Sequence, residues 1–542
     1  MLIVRKFLKY TGWSLLAVVA TLFVVIGLLY VPGVQDFARR KAVKPLSKAL
    51  GMELSVGSLR LGFPLRLAVG EVRLIDRGDT LVDCGRLVLD VDPWPLIRRQ
   101  AVLRDLTIER LKARYRDSAT GFDMRIAAAR FGVEQARAAL REERASIRRI
   151  ALDSASIRLR TGSGDQVEKP DTTAPPGWEI AVDRLSIRQT GFALESDGSE
   201  LTVRLAEGGV DSCRVGLGSQ QVEVAHVELD RGSYAWLTTD SPSAKEAPAD
   251  DDIPASEPAS APWTIRVGGI VLNDNQLTYG VAGHHPTQGL DPSWIELAGV
   301  HVAVDSLYNR GSDLALQIRQ LAFRERCGLE VEQTRGRFSM DSTAIRLTDF
   351  SLATAASRLT ADLEAGGGLL QMEPQTPLTA SLGADLATND MARLVPALLP
   401  AALRNRQIGM ELTADGTLED LRRIDLQITS PDHLWLTVDG RARYPLDPRH
   451  LTASARIRGR LRNGAFLLEM LPDTALRRRL ALPRRIGIDA TARIDRQNYV
   501  LSSLLRAGQG RREEGCIHID GRFDARNERY EAAIRADSFP AG

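Results

Sequence analysis

The stretch TIRVGGIVLNDNQLTYG, residues 264–280, decides the fold of this chain. Its apolar residues come in pairs with one residue between the members: Ile265 and Val267, Ile270 and Leu272, Leu277 and Tyr279. Alternation of apolar and polar residues is typical of a strand that buries one face. The spacing between successive pairs is odd, so each break indicates a turn or a bulge that keeps the apolar residues on one face.

The same spacing recurs along the first half of the chain. Around a centre n, apolar residues stand at n−5, n−3, n, n+2, n+7 and n+9. The copies are centred on Leu87, Leu106, Phe131, Ile150, Leu185, Val227 and Ile270, with a partial copy at Gly208. Units of about 20 residues cannot bury an apolar face alone, so we expect them to stack into a repetitive structure. Residues 127–146 have a helix-like composition, but the phase of the repeat predicts a strand there.

Residues 161–177 and 240–262 interrupt the repeat. Both are rich in Pro, Ala, Ser, Thr, Gly and acidic residues, a composition typical of exposed disordered segments. The sequence therefore predicts β-repeat regions at 32–160, 178–239 and 263–380, joined by a disordered loop and a disordered linker.

The pattern changes from residue 381 to residue 542. Leucines at helical spacing predict short amphipathic helices at 389–407 and 466–480, and each leads to a strand that begins with Ile-Gly, at 408 and at 486. We interpret this region as a second repeat of about 75 residues, in which a helix precedes several strands. The chain stops in mid-pattern, so we expect it to be the N-terminal part of a longer protein.

An uncharged segment, residues 11–31, follows a basic tail at 1–10. At about 1.5 Å per residue, a helix of this length spans roughly 31 Å, which matches the hydrocarbon core of a bilayer. Trp13 and Tyr30 stand at its two ends, where aromatic rings favour the membrane interface. No small-x-small cleavage site follows, so the pattern favours an uncleaved transmembrane anchor over a signal peptide. With no second span in the sequence, the remainder is expected to lie wholly on one side.

Composition argues against several classes of function. A net charge of +2 and an aromatic content of 5% provide neither the basic face nor the stacking platforms that nucleic acid requires. The four cysteines lie more than 100 residues apart, without metal-ligand or redox spacing. His284 and His285 form the only histidine pair, and no P-loop, nucleophile elbow or zincin motif is present. We therefore expect no catalytic residue, no metal site and no cofactor.

Residues 30–97 resemble the start of a TamB/AsmA-like protein in its Bacteroidetes-type form. The resembling features are VPGVQDFA after the anchor, the helix ending at Gly51, SVGSLRLGFPLRLAVGEVRL, the Asp79-Thr80 step and LVLDVDPWPLI. The Leu-Pro helices of the C-terminal region also resemble that family's middle repeats. The resemblance implies an inner-membrane anchor, a long periplasmic β-structure with an apolar groove, transfer of lipid towards the outer membrane, and an outer-membrane barrel partner of the TamA type.

The expected fold is mostly β: an N-terminal transmembrane helix, then an elongated, repetitive β-sheet groove of the β-taco or β-solenoid type, with a few short amphipathic helices. About 25 strands at ~4.8 Å spacing would extend for roughly 120 Å. Apolar residues at the centre of each repeat would line the groove and contact phospholipid. The candidate groove residues are Leu87, Leu89, Ile150, Leu152, Leu185, Ile187, Val227, Leu229, Ile270 and Leu272.

The expected function is conduction of phospholipid towards the outer membrane by a single-pass inner-membrane protein whose bulk lies in the periplasm. One alternative is a rigid scaffold for outer-membrane protein translocation and assembly with a TamA-like barrel. Another is an adhesive or envelope-structural protein. A packed core would explain any single apolar residue equally well. The groove is favoured because the repeat is one-sided over hundreds of residues and no second sheet pattern is available to cover it.

Overall fold

The computed structural model describes most of the chain after residue 50. The described segments are 51–161 (without 77, 96–99 and 118–120), 177–239 (without 197), 262–367, 373–396, 405–430, 434–463 (without 446 and 448), 483, and 485–538 (without 510–511), together with residues 33, 35, 37, 41, 45 and 47. The predicted anchor at 11–31, the helix at 466–480 and nearly all of both predicted disordered segments lie outside these residues. No helix within the described part is long and apolar enough to cross a membrane.

The described residues are mostly β-strand, as the sequence predicts, and they divide into two compact units. Unit 1 comprises residues 1–261 and 278–282, and unit 2 comprises residues 262–277 and 283–542. The strands of unit 1 are β1 Glu53–Gly62, β2 Arg66–Asp76, β3 Asp79–Asp92, β4 Gln100–Asp117, β5 Phe122–Ala139, β6 Arg144–Arg160, β7 Glu179–Ser196, β8 Ser199–Gly216 and β9 Gln221–Thr238.

Unit 2 contains one short helix, α1 Thr388–Leu394, among its strands. The first seven strands are β10 Thr264–Val267, β11 Ile270–Val281 (whose last residues belong to unit 1), β12 Trp294–Arg310, β13 Asp313–Glu325, β14 Glu330–Met340, β15 Ala344–Thr354 and β16 Arg358–Gly366. The remaining nine are β17 Pro377–Ala387, β18 Gln407–Thr417, β19 Asp420–Ser430, β20 Leu434–Arg443, β21 Thr452–Leu461, β22 Arg485–Asp495, β23 Asn498–Gln509, β24 Arg512–Asp524 and β25 Arg529–Asp537.

Six long strands of unit 1, β4 to β9, each contain one residue with a left-handed backbone. These residues are Arg110, Gln135, Ser154, Gln189, Ser212 and Arg231, with φ between 49° and 55° except for Gln189 at 45°. Each stands at n+4 of the sequence pattern, inside the odd-spaced break between n+2 and n+7. An extra residue in a strand turns the following side chains to the other face. The breaks RQTG and DRGS therefore lie within β7 and β9 as bulge-like interruptions and do not end the strands.

The interruptions of neighbouring strands stand opposite one another. Gln135 in β5 lies across from Arg148 in β6, and their side chains are joined by a 3.0 Å hydrogen bond from Arg148 Nη1 to Gln135 Oε1. Position n+4 of one strand thus meets n−2 of its antiparallel neighbour. Because both strands carry an extra residue at the same height, the register on either side is unchanged. The pattern is symmetric about n+1, with apolar residues one position away and interruptions three positions away on each side.

Strands β6 and β7 pair in parallel, whereas the other neighbours in unit 1 are antiparallel. Their register places Ile150 beside Leu185, so n meets n. Two ion pairs mark the ends of this contact: Arg144 Nε lies 3.0 Å from Glu179 Oε2, and Arg160 Nε lies 2.8 Å from Glu195 Oε2. Three of the four side chains are largely exposed and Glu195 is partly exposed, so we assign to these pairs a role in register more than in stability.

Later strands of unit 2 lack these central interruptions. The pairings β16–β17, β17–β18, β20–β21, β21–β22 and β22–β23 run without any register shift. Leu461 and Ile486 are opposite residues of β21 and β22, only 2% exposed each, and form the centre of a small apolar cluster with Leu434, Ile488 and Leu505.

Helix α1 is fixed to the sheet through a buried carboxylate. Asp390 accepts hydrogen bonds of 2.7 Å from both Thr354 Oγ1 and Ser357 Oγ, and Arg393 Nη1 lies 3.2 Å from its other oxygen. These contacts satisfy an ionised group that would otherwise be costly to bury. The helix begins at Thr388, one residue before the predicted start, but it ends at Leu394. The predicted helix at 389–407 is therefore wrong at residues 395–396 and 405–407, which are not helical, and residues 397–404 lie outside the described part. The strand predicted for 127–146 is confirmed as the bulk of β5 and the start of β6.

Substitutions at Ser212 test whether its backbone is left-handed, as the interruption of β8 requires. A β-branched side chain is disfavoured at positive φ and glycine is not. We expect Ser212→Val to be less stable than Ser212→Gly by about 1–2 kcal/mol. At Thr202, an ordinary position of the same strand, the order should reverse, with the Val variant more stable than the Gly variant by about 1 kcal/mol. Denaturant unfolding of the four variants measures both differences, and an identical order at the two positions would contradict the assigned geometry.

Candidate functional site

The strand registers of unit 1 bring the apolar residues of successive strands into two continuous rows, which we call the apolar ladders. Directly opposite residues of neighbouring strands share a face, so each row is a line of adjacent side chains. The first ladder is Leu59, Val69, Leu87, Ile108, Phe131, Leu152, Ile187, Gly208 and Leu229. The second ladder is Leu61, Leu67, Leu89, Leu106, Val133, Ile150, Leu185, Val210 and Val227.

The ladders are neither core nor open surface. Of their eighteen residues only Val133, at 8% exposed, is buried, and the others are half-buried. Side chains in a packed core are surrounded on all sides and lose nearly all contact with solvent. Among the described residues of unit 1, the buried apolar set is Cys84, Val88, Ala128, Val133, Ala155 and Leu205. The ladder side chains thus shield one another laterally, while their upper surface stays accessible.

Gly208 is the one ladder position without a side chain. A Cβ built there would lie 2.6 Å from Leu205 Cδ2 and 3.2 Å from Leu229 Cδ2. The side chains of Leu205 and Leu229 therefore cover the glycine, and the apolar surface continues across β8 without a gap.

The opposite face of the sheet carries charge. One row, at n−1 or n+3 of each strand, alternates in sign across β3 to β8, and opposite charges on neighbouring strands attract. Its members are Arg86, Glu109, Arg130, Asp153, Arg188 and Glu207. Elsewhere on this face Arg184 Nε lies 2.9 Å from Asp211 Oδ1. The face opposite the ladders thus carries rows of charged residues, whereas the ladder face is apolar.

Eight of the ten predicted groove residues lie together in the ladders. The other two, Ile270 and Leu272, are half-buried residues of β11 in unit 2. The prediction omitted Leu59, Leu61, Leu67 and Val69 of β1 and β2, which complete both rows at one end. Their signal was available as plain alternation in SVGSLRLG and RLAVGEV, but these shorter strands lack the full six-position pattern.

Unit 2 carries rows of the same kind. One runs across β17 to β25 as Leu382, Leu412, Leu426, Val438, Ile457, Ala490, Ser503, Ile519 and Ile534. Its neighbour runs as Ala384, Met410, Ile428, Leu436, Gly459, Ile488, Leu505, Ile517 and Ala536. Both units therefore present apolar residues in register along one face of their strands.

The histidine pair belongs to a structured loop. His284 Nε2 lies 2.8 Å from Asp291 Oδ2, and the same carboxylate accepts hydrogen bonds from Thr287 N, Thr287 Oγ1 and Ser293 N. Asp291 is only 5% exposed. The loop in turn contacts α1, because Leu290 N donates to Leu394 O at 2.8 Å. We interpret this cluster as a set of hydrogen bonds that stabilises the conformation of the loop.

No group of three or more His, Cys, Asp or Glu side chains within the described residues is placed to hold a metal ion. All four cysteines have free thiols, with Cys84 buried and the other three half-buried. Burial raises the pKa of Cys84, Cys213 and Cys327, which makes these thiols less ionised at neutral pH and so less nucleophilic.

The Asp291 cluster has a defined pH dependence. The hydrogen bond with His284, and then that from the Thr287 amide, lower the pKa of Asp291 from its ordinary value of 3.8. A depressed folded-state pKa stabilises the fold above the unfolded pKa, and this stabilisation is lost as the pH falls. We expect Asp291→Asn to lower the thermal midpoint at pH 7, and the difference from wild type to shrink below about pH 3.8. Glu330→Gln, which breaks the exposed pair with Arg324, is the control and should change the midpoint little. A deficit of Asp291→Asn that stays constant with pH would contradict the assigned role of the carboxylate.

No protein-family model matches this chain, and no curated protein matches it in sequence. The functional assignment therefore rests on the apolar ladders and on the chemistry of the two faces of the sheet.

Proposed function

We propose that this chain is a TamB/AsmA-like protein, anchored in the inner membrane by residues 11–31, that conducts phospholipid through the periplasm towards the outer membrane. The observation that carries the proposal is the pair of apolar ladders across β1 to β9, whose side chains are aligned in register yet remain half-exposed. In this proposal phospholipid is the ligand, the ladders form the floor of a groove, and no cofactor or chemical step is required.

The energetics of lipid transfer favour a continuous apolar surface. A two-tailed phospholipid carries on the order of 30 methylenes, and each costs about 0.8 kcal/mol to expose to water, about 25 kcal/mol in total. One or two polar contacts cannot offset a cost of that size, whereas a long apolar surface can. Nine strands at ~4.8 Å spacing place the ends of each ladder in unit 1 roughly 38 Å apart along the sheet. Acyl chains lying on the ladders would stay in apolar contact over this distance.

The interruptions favour a curved, groove-like sheet, in addition to keeping the apolar rows aligned. A bulge bends its strand and increases local twist. In unit 1 the bulges fall on both sides of the ladders, at n−2 and n+4, so the ladder residues occupy a central panel between two lines of bending. The charged opposite face keeps such a sheet hydrated on one side while the apolar side is available to lipid.

Native mass spectrometry of the full chain, purified in a mild nonionic detergent without added lipid, tests the proposal. We expect co-purified phospholipid on the wild-type chain. Leu152→Asp places a carboxylate in the first ladder, and an unpaired charge is poorly tolerated against hydrocarbon. We expect it to lower lipid occupancy by about tenfold or more. Ser156→Asp adds the same charge on the exposed opposite face of β6 and should leave occupancy unchanged.

Circular dichroism of both variants establishes that each remains folded. A folded, lipid-free wild-type chain would contradict the conduit and leave the outer-membrane assembly scaffold as the working hypothesis. The scaffold requires a stable complex with a barrel partner of the TamA type, and this complex should survive Leu152→Asp. Equal lipid occupancy in the two variants would mean that lipid binds elsewhere than on the ladders.

A further inference from the structure

Three arginines stand directly opposite one another across β4, β5 and β6. The registers pair Arg114 with Arg125 and Arg125 with Arg158, and all three residues are exposed. Arg114 and Arg158 stand at n+8, between the apolar positions n+7 and n+9 of their strands. Successive side chains of a strand point to opposite faces, so these arginines lie on the face opposite the apolar ladders. We call the three residues the arginine row.

The arginine row departs from the charge pattern of its own face. Like charges directly opposite each other destabilise an antiparallel pair. Elsewhere on this face one row alternates in sign from Arg86 to Glu207. The arginine row instead continues through β7, β8 and β9 as Ala193, Thr202 and Ala235, without a carboxylate. Its three guanidinium groups therefore lack the opposite charges that their counterparts in the alternating row have.

The carboxylates nearby neutralise the arginine row only in part. Asp123 Oδ2 lies 3.0 Å from Arg125 Nη2, 3.1 Å from Arg116 Nη2 and 3.8 Å from Arg114 Nη2, so three guanidinium groups share one carboxylate. The hydrogen bond from Arg125 is the main reason that the pKa of Asp123 falls to about 2, and this carboxylate is ionised at neutral pH. Among the residues that the structure describes, no acidic side chain lies within ion-pair distance of Arg158.

The arginine row borders a recess of about 470 Å³. The next row of the sheet contributes the small residues Ala127 and Ser156 and, at its end, Lys112. The small side chains leave space beside the guanidinium groups. Asp83 is the one carboxylate of the lining, and its Oδ1 lies 3.8 Å from Arg73 Nε on the far side from Lys112. Four cationic side chains and one carboxylate therefore line the recess.

We propose that this recess binds a soluble anion that carries two or more phosphate groups. Guanidinium groups donate paired hydrogen bonds to phosphate oxygens, which makes arginine the side chain best suited to phosphate. Neighbouring strands are about 4.8 Å apart, so the row presents its guanidinium groups over roughly 10 Å. An anion with several charges contacts more than one of them at once. Such a ligand would replace the repulsion within the row by attraction.

The position of the recess argues for a soluble ligand. The sheet lies between the recess and the apolar ladders, so a phospholipid whose acyl chains rest on the ladders cannot place its headgroup there. The exposed side chains of the arginine row keep the recess open to water. The inferred anion site is therefore separate from lipid conduction and does not depend on it.

Isothermal titration calorimetry of the full chain in nonionic detergent, with inorganic pyrophosphate as the probe, tests the proposal. We expect saturable binding to the wild-type chain. Arg158→Gln should weaken this binding by about tenfold or more, because it removes a charge-assisted pair of hydrogen bonds. Arg130→Gln is the matched control, since it removes the same charge from an exposed position of the alternating row on the same face. It should change the Kd by less than about twofold.

Thermal unfolding provides a second measurement on the same variants. Without pyrophosphate, Arg158→Gln should be at least as stable as the wild type, because it relieves repulsion within the row. Pyrophosphate should raise the thermal midpoint of the wild type, since a ligand that binds only the folded chain stabilises it. The midpoint of Arg158→Gln should rise less at the same concentration.

A folded wild-type chain that binds no pyrophosphate would overturn the proposal. An equal loss of binding in Arg158→Gln and Arg130→Gln would also overturn it, because binding would then reflect a general attraction between charges. Dihexanoyl phosphatidic acid, a water-soluble lipid, should displace pyrophosphate no better than inorganic phosphate does, and tighter displacement would overturn the soluble source. Ser156→Asp adds a carboxylate to the recess and should weaken pyrophosphate binding without changing lipid occupancy, so the two sites are tested separately.

Discussion

Side-chain parity is the constraint on which unit 1 depends. In a strand, moving one residue along the chain exchanges the two faces of the sheet, so a single unmatched residue would send every later apolar side chain towards the charges. Strands β4 to β9 each contain such residues, yet both apolar ladders remain unbroken. They remain so because every extra residue is matched by one at the same height in the next strand. This arrangement places one residue of each of these strands, at n+4, in the disfavoured left-handed conformation, and it keeps both faces of the sheet continuous.

This constraint also explains how the sheet is stabilised with so little core. Large side chains in unit 1 are half-buried against lateral neighbours, and the buried apolar residues are mostly small, such as Ala128 and Ala155. Backbone pairing between long strands provides most of the remaining cohesion. Unit 2 has additional burial in the apolar cluster around Leu461 and Ile486. The hydrogen-bonded carboxylates of Asp390 and Asp291 are also buried there. Each unit thus presents apolar residues on one face of its strands, and the two units differ in what else stabilises them.

Sequence alone predicted the strands, the repeat phase and eight of the eighteen ladder residues, because period-two alternation is set by each strand locally. It also placed a break at the right residues, although it could not distinguish a turn from a bulge: RQTG reads as a turn, and only the register with β6 and β8 shows that β7 continues through it. The sequence did not predict which strands pair with each other. Nothing in the composition of β6 or β7 distinguishes the parallel pair from the antiparallel ones, since pairing direction depends on where the connecting chain returns. The hydrogen bond between His284 and Asp291 was not predicted for a similar reason, because the two side chains come together only when the loop folds.

The parallel pair β6–β7 has a consequence for how such a sheet can change in length. The ladder positions n and n+2 and the interruptions at n−2 and n+4 are symmetric about n+1, so a strand presents the same ladders and the same interruptions in either direction. A neighbour can therefore be added in either orientation without breaking a row. If the two directions of a strand were not equivalent, an antiparallel sheet could lengthen only by two strands at a time, because the last strand would have to keep the same direction. Here the unit of gene duplication or deletion can be a single strand of about 18 residues. The length of such a sheet can then change in steps of about 4.8 Å, one strand at a time.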